Sequence, residues 1–96
     1  MTADVHGNWN THPPVYRIYL NDDLLTERTF RWPGYQVFIK EHMVCILEPG
    51  IHKLRIENAS SHGSFRIDNL NINNSGAQIH PNYIDYTGQD IHFIIN

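Results

Sequence analysis

The feature that most constrains the fold is a pair of segments in which apolar and polar residues alternate. In residues 48–58 a Pro-Gly turn leads into a segment where the residues His52, Leu54 and Ile56 alternate with the charged residues Lys53, Arg55 and Glu57. Residues 65–68 continue the same alternation after a polar loop. A period of two places one face of an extended segment on a core and the other in water, as in antiparallel sheets. The sequence therefore predicts an all-β chain.

Similar patterns predict further strands. Residues 15–20 and 24–30 flank an Asn-Asp-Asp turn and predict a β-hairpin. The apolar run 43–48, next to the Pro-Gly turn, and the C-terminal segment 91–96 predict two more strands. Residues 35–41 carry apolar residues at helical spacing but also fit a strand, and we favour a loop or a single helical turn there.

The alternation in residues 65–73 changes phase halfway. Phe65 and Ile67 have one parity, whereas Leu70 and Ile72 have the other. A β-bulge at Asp68-Asn69 would return all four side chains to one face.

These segments predict about seven short strands arranged as a two-sheet antiparallel β-sandwich. Whether its connections are jelly-roll or Ig-like stays open. The 96 residues are enough for one core. We expect an extended N-terminal arm over residues 1–14, which ends in Pro-Pro, followed by a single β-sandwich domain over residues 15–96. Residues 76–90 show little regular pattern.

The charge of the chain argues against nucleic acid as a partner. The net charge is −3, and the seven Lys and Arg residues are scattered singly. No apolar run approaches the roughly 18–20 residues of a membrane span, and the first ten residues are polar, unlike a secretory signal. We therefore expect a protein made in the cytoplasm that does not span a membrane.

No motif in the chain points to catalysis or to a cofactor. The single Cys45 lies in an apolar run, which is typical of a buried, unreactive thiol. The seven histidines are His6, His12, His42, His52, His62, His80 and His92. None of them forms the close pair that usually marks a zinc site, although a site assembled in three dimensions stays open. The sequence therefore predicts no catalytic residues, no metal and no cofactor.

Aromatic residues in loops are the better functional signal. Such residues anchor protein interfaces, stack on sugar rings, or fold back onto the edge of a core. The candidates for interface or glycan contact are Trp9, His12, Trp32, Tyr35, Tyr83 and Tyr86.

Three fragments of the chain, residues 16–30, 47–58 and 65–72, resemble small virion structural proteins of tailed bacteriophages, particularly those of cyanobacterial phages. The pattern Leu-x-Pro-Gly-x-His-x-Leu-Arg-Ile-x-Asn followed by Phe-Arg-Ile-x-Asn-Leu-x-Ile-Asn is also similar to the strand pattern of β-sandwich carbohydrate-binding modules.

The phage resemblance implies a non-enzymatic component of the virion, assembled in the host cytoplasm. It would decorate or cement the capsid, or belong to the tail, with other capsid or tail subunits or further copies of itself as partners. The N-terminal arm would reach a neighbouring subunit. The alternative, implied by the second resemblance, is a module that recognises glycans on the host surface.

Overall fold

The computed structural model describes residues 1–8, 12–31, 38–44, 47–61, 63–71, 77–79, 83–85 and 87–95. Within these residues the regular elements are eight β-strands. In chain order they are β1 Thr2–Asn8, β2 Val15–Leu20, β3 Asp23–Thr29, β4 Phe38–His42, β5 Gly50–Asn58, β6 Ser64–Asn71, β7 Ala77–Ile79 and β8 Asp90–Ile95. The predicted all-β class is confirmed.

The strands form two antiparallel sheets that pack face to face. The three-stranded sheet has the order β4-β1-β6, and the five-stranded sheet has the order β3-β2-β5-β8-β7. The core between them is apolar; its largest fully buried side chains include Tyr16, Phe30, Phe93, Ile18, Leu54, Ile56, Ile67 and Ile84. The predicted two-sheet β-sandwich is therefore confirmed.

The predicted hairpin corresponds to β2 and β3. Tyr16, Ile18 and Leu20 are all buried, as their alternation predicts. Asn21 and Asp22 form the two-residue turn with φ values of 52° and 69°. Positive φ at both positions is the geometry of a type I′ turn, and Asn and Asp adopt it more readily than most residues.

The predicted C-terminal strand is also confirmed, as β8. It pairs with β5 on one side and β7 on the other, which holds its end in place through Ile95. The short strand β7 falls in the stretch that shows little pattern in the sequence. Strands β5 and β6 follow each other in the chain but lie in opposite sheets, so the chain crosses the sandwich between them.

The bulge predicted in β6 is confirmed. Thr2 pairs with Asn71 and Asp4 pairs with Asp68, which leaves Asn69 and Leu70 opposite Ala3. Asn69 adopts a φ of 51°, which accommodates the extra residue of the bulge. Leu70 is buried as a result, whereas Ile72 falls outside the described residues.

The prediction of an N-terminal arm is wrong for residues 2–8. They form β1, the middle strand of the three-stranded sheet, with neighbours on both sides. Ala3 and Val5 are fully buried. The backbone of the strand is satisfied by β4 and β6, and this non-local pairing outweighs its weak local strand preference.

The strand predicted over residues 43–48 is also misplaced. The edge strand β4 comes earlier, in the segment for which we favoured a loop or helical turn, while Met43, Val44, Leu47 and Glu48 lie outside the strands. The side chain of Val44 is almost fully exposed. Here the chain passes from one sheet to the other, so the Pro-Gly turn does not join two paired strands. Cys45 and residues 32–37 fall outside the described residues.

A buried polar cluster connects the two sheets at the edge where β3 and β4 lie. The Tyr16 hydroxyl donates to the Glu41 carboxylate, and Arg28 donates two hydrogen bonds to the same carboxylate, at 2.8 and 3.1 Å. Burial, reinforced by the Glu41 charge, raises the pKa of Tyr16. The hydrogen bonds and charge of Glu41 likewise raise the pKa of Arg28. Each polar group of the cluster thus has a partner, with Tyr16 and Glu41 buried between the sheets and Arg28 half exposed at their edge.

Candidate functional site

The outer face of the three-stranded sheet carries a cluster of charged and aromatic side chains. On the central strand, His6 lies opposite Phe38 of β4 and Arg66 of β6. The rings of His6 and Phe38 are 5.4 Å apart between centroids. Asp68 joins the cluster, with its Oδ2 3.2 Å from His6 Nε2 and 3.0 Å from Arg66 Nη1. One carboxylate therefore holds both basic side chains in place.

Asp4, two residues before His6, is almost completely buried on this face. Asn69 donates a 2.9 Å hydrogen bond to Asp4 Oδ2. Lys40 Nζ lies 3.2 Å from Oδ1, in ion-pair range but without hydrogen-bond alignment. The Asn69 hydrogen bond and then the Lys40 charge hold the pKa of Asp4 below its ordinary value, against the opposing effect of burial.

This lowered pKa predicts how Asp4 affects stability with pH. A carboxyl whose pKa is lower in the folded state stabilises the fold above its ordinary value, near 3.8, and loses that contribution as the pH falls further. We expect Asp4→Asn to lower the free energy of unfolding by about 1 kcal/mol at neutral pH, the difference between a charged and a neutral hydrogen bond. The difference from wild type should shrink below pH 4 in urea denaturation.

Asp23 provides the matched control because it is exposed at the start of β3. Asp23→Asn should leave the free energy of unfolding close to that of the wild type, both at neutral pH and below pH 4. A deficit in Asp4→Asn that stays constant from neutral pH to pH 3 would mean that charge at Asp4 does not contribute.

A cleft opens at the end of the same face, where β1 ends and β6 begins. Its volume is about 610 Å³. Its lining residues are His6, Gly7, Asn8, Gly63, Ser64, Phe65, Arg66, Asp85 and Thr87. At Gly7 a Cβ would point into the core and lie 2.9 Å from the Phe30 ring, so the close packing at this end of β1 requires glycine. The side chain of Phe65 points away from the cleft into the core, where it is 3% exposed and packs on Tyr16 and Phe30 in edge-to-face contacts.

A short segment beside β6 completes the cleft. Ile84 pairs with Ile67 through two backbone hydrogen bonds of 2.8 and 2.9 Å. Extending this antiparallel register by one residue sets Asp85 beside Arg66 on the outer face. Gln89 accepts a 3.1 Å hydrogen bond from the Asp85 backbone and so fixes the local turn. His6, Arg66 and Asp85 thus stand in one row across the sheet.

Two of the residues proposed from the sequence are described. Tyr83 is 42% exposed, and the same register places it beside Asp68, one row away from the cleft. His12 is exposed just before β2. The four others lie outside the described residues: Trp9, Trp32, Tyr35 and Tyr86. In the sequence Trp9 follows Asn8 of the cleft, and Tyr86 lies between Asp85 and Thr87.

The cleft residues themselves were not singled out by the sequence. His6 belongs to the segment predicted as an arm, and Asp85 belongs to a stretch without a regular pattern. Arg66 is the one residue of the row that the sequence pattern could have indicated, because it lies between two inward-facing apolar residues of a clearly alternating strand and must therefore face outward. Its neighbours come from distant parts of the chain, and sequence spacing does not connect them.

A second surface is the outer face of the five-stranded sheet. Ile51 of β5 and Ile94 of β8 lie directly opposite each other and are 72% and 43% exposed. Leu24, 53% exposed, lies opposite Tyr19 on the same face. Large apolar side chains are therefore presented to solvent on regular strands rather than on loops.

The charged residues between these apolar positions are paired with one another. Arg55 forms hydrogen bonds of 2.5 and 2.9 Å to Asp90, and Arg17 lies 2.8 Å from Glu27. The Arg55 guanidinium holds the pKa of Asp90 below its ordinary range. Lys53 lies 2.9 Å from Asp22 at the tip of the β2–β3 hairpin. Arg17, Lys53 and Arg55 on this face thus each have an acidic neighbour.

Comparisons with protein-family models, curated proteins and solved structures find no match for this chain. In the described part of the chain, no three His, Cys, Asp or Glu side chains are grouped closely enough to hold a metal ion. The same residues contain no helix long and apolar enough to cross a membrane. The cleft and the outer face of the five-stranded sheet are therefore the two candidate functional surfaces.

Proposed function

We propose that this chain is a non-enzymatic structural component of a bacteriophage virion. It decorates or cements the capsid, or belongs to the tail, and it packs on neighbouring virion subunits. The contact is made through the outer face of the five-stranded sheet.

The resemblance to phage structural proteins supports this proposal. Its three fragments fall on the β2–β3 hairpin, on β5 with the residues before it, and on β6. Two of these fragments supply three adjacent strands of the five-stranded sheet, in the order β3-β2-β5. The resemblance therefore includes much of the sheet whose outer face we assign to the contact.

The observation that carries the proposal is the exposed Ile51–Ile94 pair. Covering a large aliphatic side chain contributes about 1.5–3 kcal/mol. Single exposed apolar residues are ordinary, but an exposed pair in register on a regular sheet forms a flat apolar patch. Such a patch is stabilised when a partner covers it.

The paired charges around the patch define the chemistry of the partner. A neighbouring subunit that covers Arg55–Asp90 and Arg17–Glu27 would desolvate matched pairs and leave no lone charge buried. The fitting occupant is therefore a virion subunit whose facing surface is flat, apolar at its centre and nearly neutral.

Immunogold labelling of phage particles from the source that encodes this chain tests the proposal. Label spread over the head would support a capsid protein, and label confined to the tail would support a tail-associated protein. Particles that carry no label, either intact or opened, would contradict the proposal.

A pair of variants tests the assigned surface. Ile51→Lys combined with Ile94→Lys should reduce incorporation into purified particles by roughly tenfold or more, because charges replace two aliphatic side chains that the neighbouring subunit would cover. Tagged protein supplied during infection and quantified by mass spectrometry measures the effect.

Val44→Lys is the matched control. Val44 is 98% exposed and lies outside both sheets, so this substitution also replaces an exposed aliphatic side chain by a charge, but away from the patch. Both variants should retain the wild-type melting temperature within a few degrees. Equal incorporation of the double variant and the control would exclude this face as the contact.

A further inference from the structure

A histidine near the start of β5 connects three segments of the chain. The ring of His52 is half-buried and stacks on the ring of Phe93, with 5.6 Å between the centroids. Its Nδ1 lies 2.8 Å from the side-chain nitrogen of Asn21, in the β2–β3 turn. Its Nε2 lies 2.7 Å from the backbone oxygen of Glu48, where the chain crosses from one sheet to the other. One imidazole thus joins the turn, the strand and the crossing segment.

The hydrogen-bond partners of this imidazole determine which of its nitrogens carries a proton. The backbone N–H of Lys53, which can only donate, lies 2.9 Å from Asn21 Oδ1. Asn21 therefore directs its NH₂ group towards His52, and Nδ1 accepts that hydrogen bond. The carbonyl oxygen of Glu48 can only accept, so Nε2 carries the proton and donates. His52 fits these partners as the neutral Nε2–H tautomer.

Protonation of His52 is incompatible with this arrangement. Histidine side chains ordinarily change charge between about pH 5 and 8. A protonated ring presents Nδ1–H to the NH₂ group of Asn21, so two donors face each other. Asn21 could turn its oxygen to the ring only by giving up the backbone N–H of Lys53. Either way one donor is left without an acceptor, and one hydrogen bond is lost.

The charged groups near this imidazole do not compensate for a positive charge on it. Asp22, in the same turn, is paired with Lys53 at 2.9 Å. Glu48 contributes its backbone oxygen, and β8 contributes the apolar ring of Phe93 while His92 has the opposite, outward parity. In the described part of the chain no carboxylate forms an ion pair with the imidazole. The protonated ring therefore gains no ion pair in place of the lost hydrogen bond.

We propose that His52 is a pH-sensitive switch, which ties the segment before β5 to the β2–β3 turn at neutral pH and releases it when the ring is protonated. Glu48 and Pro49 are exposed and precede Gly50, the first paired residue of β5, so the hydrogen bond from His52 holds them in place. Ile51, which follows Gly50, belongs to the exposed pair on the outer face. The consequence for the virion contact rests on the function proposed above, whereas the switch itself does not.

NMR of the isolated ¹⁵N-labelled chain tests the switch. Long-range ¹H–¹⁵N spectra of the imidazole should show the Nε2–H tautomer of His52 at about pH 7.5. The second readout is the protection of the Lys53 amide from hydrogen exchange, corrected for the intrinsic exchange rate at each pH. This protection should fall roughly tenfold between about pH 7.5 and pH 5, as one hydrogen bond is lost.

Asn21→Asp should reverse the response to pH. An aspartate tolerates the φ of 52° at this position, and one of its oxygens can still accept from the backbone N–H of Lys53. Its other oxygen accepts from a protonated His52 in a charge-assisted hydrogen bond. Protection of the Lys53 amide should therefore rise in this variant over the pH range in which it falls in the wild type.

His52→Gln removes the titrating group but keeps one donor and one acceptor, so protection of the Lys53 amide should no longer depend on pH. His92→Gln is the matched control, because His92 lies opposite Lys53 on the neighbouring strand but is exposed on the outer face. This control should show the same fall in protection as the wild type.

Three results would overturn the inference. These are the Nδ1–H tautomer at neutral pH, protection in the wild type that does not change with pH, and a fall in Asn21→Asp as large as that in the wild type. A merely structural role for His52 would not reverse the response in Asn21→Asp. This variant also keeps the test informative if His52→Gln fails to fold.

A wash of purified particles separates the switch from the proposed function. At about pH 5 the wild-type chain should be released several-fold more than His52→Gln, because only the wild type loses the tie beside Ile51. Particles that never contain the chain would contradict the proposed function and leave the NMR result standing. Equal release of the two chains, with the NMR response present, would show that the switch does not control the contact.

Discussion

Deletion of residues 1–8 is expected to unfold the domain. These residues form β1, the strand that lies between β4 and β6, so the deletion removes hydrogen-bond partners of both. It also uncovers the core at Ala3 and Val5, which are fully buried. Domains of this size are stable by only about 5–15 kcal/mol, and the loss of a central strand exceeds that margin. The measurement is the dispersion of amide signals in NMR, together with a thermal melt.

Two point substitutions separate this effect from a trivial effect of shortening the chain. Val5→Lys places a charge in the core and should lower the free energy of unfolding by about 3 kcal/mol or more. Thr2→Lys, on the outward-facing side of the same strand, should change it by less than about 1 kcal/mol. A truncated protein that still melts cooperatively and gives a dispersed spectrum would contradict this expectation and support the N-terminal arm that the sequence predicts.

The sequence of β1 explains why it does not suggest a strand. It has two inward apolar residues, a buried Asp4, and Gly7, a poor strand former. Residues outside the segment compensate for both Asp4 and Gly7. Lys40 and Asn69 satisfy Asp4, and the Phe30 ring fills the space that a side chain at Gly7 would occupy. Tertiary contacts, which the local pattern cannot include, determine this strand.

Where one face of a strand is apolar and the other polar, the sequence is a reliable guide. The alternation in β2, β5, β6 and β8 correctly predicts which side chains are buried, and the phase change in β6 locates the bulge. The pattern does not predict which strands pair, since neighbours in the sheet such as β2 and β5 are distant in the chain. Strand β4 escapes prediction because the most buried position on it is Glu41 rather than an apolar residue.

The candidate cleft shows the same limit. Its row of His6, Arg66 and Asp85 combines three segments that meet only through sheet pairing. Arg66 was recognisable as an outward residue, whereas the identity of its neighbours depended on the position of β1. An error in the placement of one central strand was therefore sufficient to hide the site.

Glu41→Ala is expected to be the most damaging single substitution of a polar residue in the described chain. Only 3% of the Glu41 side chain is exposed, and it accepts hydrogen bonds from Tyr16 and Arg28. Its removal leaves the buried Tyr16 hydroxyl without a partner and opens a cavity between the sheets. The Arg28 side chain is half exposed and can turn to water, which limits the loss. We expect a decrease of about 3 kcal/mol in the free energy of unfolding, measured by urea denaturation.

Glu27→Ala is the matched control, because it breaks a Glu–Arg pair that lies on the surface. Glu27 and Arg17 are both nearly half exposed, so the cost should stay below about 1 kcal/mol. Tyr16→Phe combined with Glu41→Leu provides the second test. Replacing both buried partners by apolar groups removes the unsatisfied hydroxyl and should recover most of the stability lost in Glu41→Ala. If the double variant is instead less stable than Glu41→Ala, the cluster stabilises the sandwich through its charges, and the unpaired hydroxyl is not the cause of the loss.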